Sequence, residues 1–95
     1  MRIPIEKILS PDTDHRPVDG KFVGELAALI QSGAKTLPVT VFVDTEGRTF
    51  LADGYARTWA ARRAGQDAIE AQVISGSRQN AIDYRHVAMK ANGRR

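Results

Sequence analysis

Two spacings of apolar residues recur along this chain and predict an alternation of strands and helices. Ile3 to Ile8 alternates apolar and polar residues, as a half-buried strand does, and Pro4 places it at a sheet edge or strand start. A polar loop follows, from Ser10 to Pro17. Val39 to Val43 is a strong strand prediction, and the turn after it leads into a second strand, Arg48 to Ala52. These last two strands are expected to form a hairpin.

Helical spacing appears three times. The first helix is predicted to start at the cap Asp19 and to end at Gly33. Its apolar face is expected to consist of Phe22, Leu26, Leu29 and Ile30. A third helix is predicted to begin at the cap Ser77, after a strand from Ile69 to Ile74 whose buried face would be Ile69, Ala71 and Val73.

The second helix has the clearest boundaries. A strand ends at Ala52, Asp53-Gly54 forms a tight turn, and a helix from Tyr55 to Ala64 is stopped by Gly65. A stripe of alanines at positions 56, 60 and 64 is expected to let this helix pack closely on a sheet. The elements together predict one α+β domain over residues 1–95, with a mixed sheet of about four strands and three helices.

Composition narrows the function classes. The 95 residues include no cysteine, which excludes disulfides and thiolate metal sites, and His15 and His86 have no zinc-type spacing, so no metal site is predicted. The first residues lack the apolar region of a signal peptide, and no apolar run has the length of a membrane span. A soluble cytoplasmic protein without membrane partners is therefore expected.

The charge is unevenly distributed. Residues 1–50 carry six Lys/Arg and seven Asp/Glu, whereas residues 51–95 carry eight and four, and seven of those eight cations are arginine. Arginine suits forked contacts with phosphate, so the basic half favours an anionic partner. For any single arginine, a solvated helix face is the more common explanation, and the favoured anionic partner depends on their clustering.

The Asp53-Gly54 turn lies in this basic half and has the makings of a phosphate site. A glycine between strand and helix permits close approach of a ligand to the backbone, and the first N–H groups of the helix attract anions. Arg57 in the first turn would add a forked cationic donor. The alternative interpretation is that Asp53 caps the helix and Arg57 pairs with Asp53 or Glu70. Tyr55 and Trp59, one turn apart, would either stack a base or pack as a lid.

The order of elements and the residues of this box resemble the N-terminal domain of the ParB/sulfiredoxin superfamily. Asp53-Gly54-Tyr55-Ala56-Arg57, with Ala60-Ala61 and Gly65, is similar to the family's glycine-arginine box. Gly33 to Pro38-Val39 is similar to the family's glycine-to-proline box, and Arg16-Pro17 to its first loop. The resemblance covers nearly the whole chain.

The resemblance implies a nucleotide site, with a nucleoside triphosphate and Mg²⁺ as its ligands. Gly54 and Arg57 would contact phosphate, and Asp53 would shape the turn or assist the metal ion. Arg16 and Thr36 would lie in loops that line the same pocket. The candidate nucleotide-binding residues are Gly54, Arg57, Asp53, Tyr55, Thr58, Arg16 and Thr36. The expected role is that of an accessory in plasmid, phage or chromosome maintenance, with slow NTPase activity as one form of it.

Departures from the family pattern keep other functions open. Tyr55 and Ala56 replace the Glu and Arg that partition proteins carry, which weakens the case for cytidine specificity, and the absence of cysteine excludes sulfiredoxin chemistry. In partition proteins this domain is followed by a helix-turn-helix domain and a dimerisation tail, neither of which is in this sequence of 95 residues. The chain is therefore expected to be an excised domain or a stand-alone accessory protein. One alternative is a DNA-binding or nuclease-like accessory, and another is a protein-interaction module that has lost ligand binding. The expected protein partners are a second copy of the chain or another partition-type protein. The DNA contacts would be Arg62, Arg63, Arg78, Arg85, Arg94 and Arg95.

Overall fold

The computed structural model describes residues 1–11 and 20–92. Asp19, the predicted first cap, lies outside these ranges. Five strands and three α-helices follow one another along the described residues. They are β1 (Arg2–Pro4), a 3₁₀ turn (Ile5–Lys7), β2 (Ile8–Leu9), α1 (Gly20–Gln31), β3 (Val39–Val43), β4 (Thr49–Asp53), α2 (Tyr55–Arg63), β5 (Ala68–Ser75) and α3 (Arg78–Asn92).

The strands form one mixed sheet in the order β1-β5-β3-β4-β2. Two pairs are antiparallel, β1 with β5 and β3 with β4, and two are parallel, β3 with β5 and β2 with β4. The predicted α+β class is therefore confirmed, and so is the hairpin of β3 and β4. The sheet has five strands rather than about four.

The additional strand arises because Ile3 to Ile8 is not one strand. The 3₁₀ turn interrupts it at Ile5, so β1 pairs at one edge of the sheet and β2 at the opposite edge. Ile5 is buried in the core, and its N–H donates to the Asp67 carbonyl at 2.9 Å. Burial of this side chain and the bond to Asp67 stabilise the break. Alternation of polarity could not reveal it, since a buried apolar residue at position 5 fits both an unbroken strand and the observed turn.

Both faces of the sheet are covered by helices. Val39, Val41 and Leu51 pack with Ala61 of α2 on one face. Phe42, Phe50 and Ala52 pack with Ala81 of α3 on the other. Neighbouring residues of a strand point to opposite faces, and both faces are covered here, so β3 is buried over most of its length. It forms the centre of the domain.

Helix α1 packs mainly on α2, and Ile30 near its end also packs against the core cluster of the sheet. Its buried residues are Val23 and Ala27, which contact Ala60, with Ala56 and Ala64 beside them. The predicted apolar face of α1 is therefore partly wrong, since Phe22 is 49% exposed and Leu29 52%. The alanine stripe of α2 was likewise expected on the sheet and instead lets the two helices approach closely. Helical spacing identifies a stripe but does not tell which neighbour covers it.

The predicted cap at the start of α3 and the predicted glycine after α1 are confirmed, whereas no side chain caps α2, so the interpretation of Asp53 as its cap is wrong. Ser77 and Asn80 form a reciprocal pair at the start of α3, because the Asn80 N–H donates to Ser77 Oγ at 3.1 Å and the Ser77 N–H to Asn80 Oδ1 at 2.9 Å. Gly33 follows the end of α1 with φ +92°, as predicted.

On β5, Ile69 and Ala71 are buried as expected, whereas Val73 is 39% exposed. Within the described ranges, none of the helices combines the length and the apolarity that a bilayer crossing requires.

Candidate functional site

The turn between β4 and α2 adopts a conformation that requires glycine. Gly54 has φ 103° and ψ 33°, in the left-handed region, and α2 begins at the next residue. A Cβ at this position would lie 2.4 Å from Cγ1 of Val39, well inside van der Waals contact. Backbone conformation and packing thus both exclude a side chain here. The turn can bring its backbone close to the core, or to a ligand, only as glycine.

The helix start that follows is electropositive. The N–H of Thr58 donates to the Gly54 carbonyl at 2.9 Å and makes the first helical hydrogen bond of this turn. The N–H groups of Ala56 and Arg57 come before it, and such groups have no acceptor within an α-helix. Together with the helix dipole they favour an anion at this end of α2.

Arg57 lies beside the turn and is held there by three contacts. Its Nη1 donates to the carbonyl oxygens of Leu37 and Pro38, each at 2.9 Å, and its Nη2 lies 3.4 Å from Oδ2 of Asp53. The side chain is 21% exposed. The pairing with Asp53 considered from the sequence is therefore present. The two carbonyl contacts make Arg57 a link between α2 and the segment before β3 rather than a solvent-facing side chain.

Thr58 stabilises the turn through a side-chain hydrogen bond. Its side chain is buried, and its hydroxyl donates to the Gly54 carbonyl at 2.9 Å. That hydroxyl is directed back at the backbone of the turn, so in this structure its role is to hold Gly54 in place.

Tyr55 and Trp59 do not form an exposed stacking pair. Tyr55 is half-buried against the core, and its ring lies 4.7 Å from the guanidinium carbon of Arg85 in α3. Trp59 is 49% exposed and carries the Arg62 guanidinium at 5.2 Å from its ring. Each aromatic ring is thus already in contact with an arginine, and the lid alternative describes Tyr55 better than base stacking does.

Of the two other predicted pocket residues, the structure describes Thr36 alone. Thr36 precedes the Leu37 and Pro38 carbonyls and lines a separate cavity at the far end of α2, whose lining does not include Gly54 or Arg57. Arg16 lies outside the described residues. Of the predicted set, the structure brings together Gly54, Asp53, Tyr55, Arg57 and Thr58.

The arginines proposed for DNA binding are dispersed. Arg62 and Arg63 are exposed in the last turn of α2, while Arg78 is exposed at the start of α3, which packs on the opposite face of the sheet. Arg85 is only 7% exposed, so the prediction that it belongs to an exposed basic face is wrong. Burial of Arg85 follows from its position against Tyr55, which its mid-helix place in the sequence did not indicate. Arg94 and Arg95 lie outside the described residues.

Sequence reasoning missed the residues that surround Arg57. The carbonyls of Leu37 and Pro38 lie 20 and 19 positions before it in the chain, and Val39 limits the space at Gly54. Backbone acceptors leave no mark in the residue pattern. The one signal at hand was the glycine-to-proline segment directly before the central strand, which marks an irregular connection.

Comparison with solved structures identifies the architecture. No family model matches the chain, and neither does any curated protein sequence. The C-terminally truncated chromosome-partitioning protein ParB of Caulobacter crescentus, complexed with CTP-γ-S, superposes with a TM-score of 0.76 at 22% identity over 100% of this chain. Sulfiredoxin of Arabidopsis thaliana superposes with a TM-score of 0.73 at 24% identity over 88%. The chain has the ParB/sulfiredoxin fold.

The extent of each match differs between the two branches of this fold. The chain spans 96% of the sulfiredoxin but only 53% of the CTP-γ-S-bound ParB. A second structure of the Caulobacter ParB, complexed to the centromeric parS site, matches with a TM-score of 0.70 at 20% identity, over 90% of this chain and 44% of that one. At these identities the ParB/sulfiredoxin likeness establishes the fold, and function rests on the site itself.

Proposed function

We propose that this ParB-like domain binds a nucleotide by its phosphates at the Gly54 turn, as an accessory in plasmid, phage or chromosome maintenance. The observation that carries the proposal is the start of α2 immediately after a left-handed glycine, with the Arg57 guanidinium beside it. The likeness to a ParB bound to CTP-γ-S supports it, because that match extends over the whole of this chain.

Three features of the geometry support a phosphate site. Gly54 has no side chain to keep an anion from the backbone, the amides of the first turn donate hydrogen bonds, and Arg57 adds a forked charge. To reach a phosphate, Arg57 would exchange a contact with the Leu37 or Pro38 carbonyl for a stronger one with the anion. Binding at the turn would thereby be coupled to the segment before β3.

Asp53 fits a subsidiary role with Mg²⁺. Its carboxylate stands at the turn, 3.4 Å from Arg57, and magnesium is commonly held by one or two carboxylates together with the phosphates of the nucleotide. The described residues bring no three acidic or histidine side chains together as a metal cage. Any magnesium bound here would therefore depend on the nucleotide, with Asp53 as the protein ligand that the turn offers.

Calorimetric titration with CTP, ATP, GTP and UTP, each with and without Mg²⁺, tests the proposal. Arg57→Gln removes the charge beside the turn, whereas Arg62→Gln removes the same charge from the exposed far end of the same helix. We expect the first change to weaken binding by about 1.5–3 kcal/mol, the usual contribution of a hydrogen bond to a charged group. The second should leave affinity nearly unchanged. No saturable binding of any of the four, or equal losses in the two variants, would refute the proposal.

Duplex DNA is the second candidate ligand. It is supported by the exposed pair Arg62 and Arg63 at the end of α2 and by the likeness to a ParB complexed with parS. It ranks second because Arg85 is buried and Arg78 lies across the sheet from α2, so that few of the expected cations share one surface. The dependence of binding on salt distinguishes the two candidates.

A further inference from the structure

A cavity of about 460 Å³ lies at the C-terminal end of α2, the opposite end of this helix from Gly54. Four parts of the fold surround it: β1, the end of α1 with the loop after it, the end of α2, and the start of β5. Its volume is within the roughly 300–1,000 Å³ that small-molecule sites commonly occupy. None of the interactions at the Gly54 turn uses it.

The cavity has an apolar floor and a polar rim. Ile30 of α1, Ala61 of α2 and Ile69 of β5 line it, and the last two are almost completely buried. Lys35 and Arg2 line it as well, together with the polar side chains of Thr36 and Gln66. Arg2 is anchored at this edge, because its Nη2 donates to the Ala68 carbonyl at 3.3 Å. Such a surface suits a molecule with one apolar part and one polar end.

The charge around the cavity is positive. Among the described residues that line it, Glu70 is the one carboxylate, and it already accepts a hydrogen bond from the Met1 ammonium group at 2.8 Å. The C-terminal ends of α1 and α2 would each add a partial negative charge, but capping amides occupy their carbonyls. Gly33 N–H donates to Ile30 O at 3.0 Å, and Gln66 N–H to Ala61 O at 2.9 Å. The formal charges of Arg2 and Lys35 therefore decide the sign.

We propose that this cavity binds a small amphipathic organic anion. The apolar body would lie against Ile30, Ala61 and Ile69, and a carboxylate or phosphate monoester would lie at Arg2 and Lys35. The proposal does not rest on the nucleotide site at the Gly54 turn, because neither Gly54 nor Arg57 lines the cavity; Thr36, which the family resemblance assigned to the nucleotide pocket, lines this cavity instead. Its ligand also differs in kind, since a nucleoside triphosphate carries a flat base and several phosphate charges in place of an apolar body with one anionic head.

Titration of the isotopically labelled chain by NMR tests this with three probes of one chain length. Octanoate and octyl phosphate carry the two anionic heads, and octylammonium carries a cationic one; each is used below its critical micelle concentration. We expect saturable shifts of the Gly33, Thr36, Gln66 and Ile69 amides with the two anions, the tighter of which identifies the preferred head group. Octylammonium should produce none. Comparable saturable shifts with octylammonium, or no saturable shifts with either anion, would overturn the proposal.

Two variants assign the interaction to the cavity. Lys35→Gln should weaken binding of the preferred anion about tenfold, which is the loss of one charged hydrogen bond at a partly exposed site. Ala34→Phe, at an exposed lining position, should block the entrance and abolish the shifts. Lys7→Gln, an equal change of charge outside the cavity, is the control and should bind as the unchanged chain does. Unaltered binding in either Lys35→Gln or Ala34→Phe would overturn the proposal, whatever the outcome of the nucleotide titrations.

Discussion

Gly54 and Val39 are packed so closely that a single methyl group on Gly54 would lie 2.4 Å from Cγ1 of Val39. Val39 is the first residue of the central strand and is completely buried. The turn at the start of α2 therefore rests directly on the core of the domain. Its backbone amides have fixed positions before any ligand arrives, which reduces the entropy that binding must overcome.

This packing predicts that Gly54→Ala is unusually destabilising. The left-handed conformation costs an alanine about 1–2 kcal/mol, and the overlap with Val39 about 1–3 kcal/mol more. We expect a total loss of about 2–5 kcal/mol in the free energy of unfolding, measured with urea. Gly65→Ala is the matched control, because Gly65 has a similar φ of +86° but nothing within 4 Å of its Cβ position. It should show the conformational cost alone, and equal losses in the two variants would contradict the role of Val39.

Arg57 is predicted to contribute to stability as well as to binding. Removing its guanidinium leaves the Leu37 and Pro38 carbonyls without their contacts at 2.9 Å. We expect Arg57→Gln to lose about 1–2 kcal/mol of unfolding free energy, since the site is only partly buried. Asp53→Asn breaks only the 3.4 Å pair, and exposed pairs contribute about 0–1 kcal/mol. A larger loss in Asp53→Asn than in Arg57→Gln would show that the carbonyl contacts do not matter.

The residues that could be predicted are those whose role is local. Asp53-Gly54 and Gly65 mark the two ends of α2, and Ser77 marks the start of α3, because turns and caps depend on nearby residues alone. The α+β class follows from the same elements. Positions that depend on a distant partner were missed. Arg85 is buried because α3 brings it to Tyr55, and Arg57 is anchored because the chain before β3 passes it.

The number of strands differs from the prediction for a related reason. Ile3 to Ile8 has the alternation of one strand, but β1 and β2 pair with different neighbours at opposite edges. The pairing partner of a strand is a property of the whole fold and not of its residue pattern. The Gly54 turn was thus predictable because it is local, whereas its supporting contacts were not.

Acid should destabilise the domain partly through the β3–β4 turn. Desolvation raises the pKa of the Asp44 carboxyl, but hydrogen bonds from the Arg48 N–H and guanidinium and from the Glu46 N–H outweigh it, so the pKa lies below its usual value of 3.8. A lowered folded pKa stabilises the folded state above pH 3.8, and the contribution disappears as the pH falls through the folded pKa. Urea unfolding of Asp44→Asn from pH 6 down to about pH 2 should show a shallower loss of stability than the unchanged chain, in this acid range. Parallel curves for the two proteins would contradict the assignment.

Salt dependence should separate nucleotide from DNA as the ligand. Each phosphate contact on duplex DNA contributes a slope of about −0.9 to the log of the binding constant against log salt. Arg62 and Arg63 are neighbours on the exposed end of α2, whereas Arg78 lies across the sheet and Arg85 is buried. Two contacts from α2 would give a slope near −1.8, and Arg62→Gln with Arg63→Gln should reduce it towards zero. Fluorescence anisotropy of a labelled duplex between 50 and 200 mM salt measures this, with the nucleotide titrated in parallel. A slope steeper than about −3.5 for DNA would require an arginine surface that the described residues do not form. Such a slope, together with no nucleotide binding, would contradict the nucleotide site and identify DNA as the ligand of this domain.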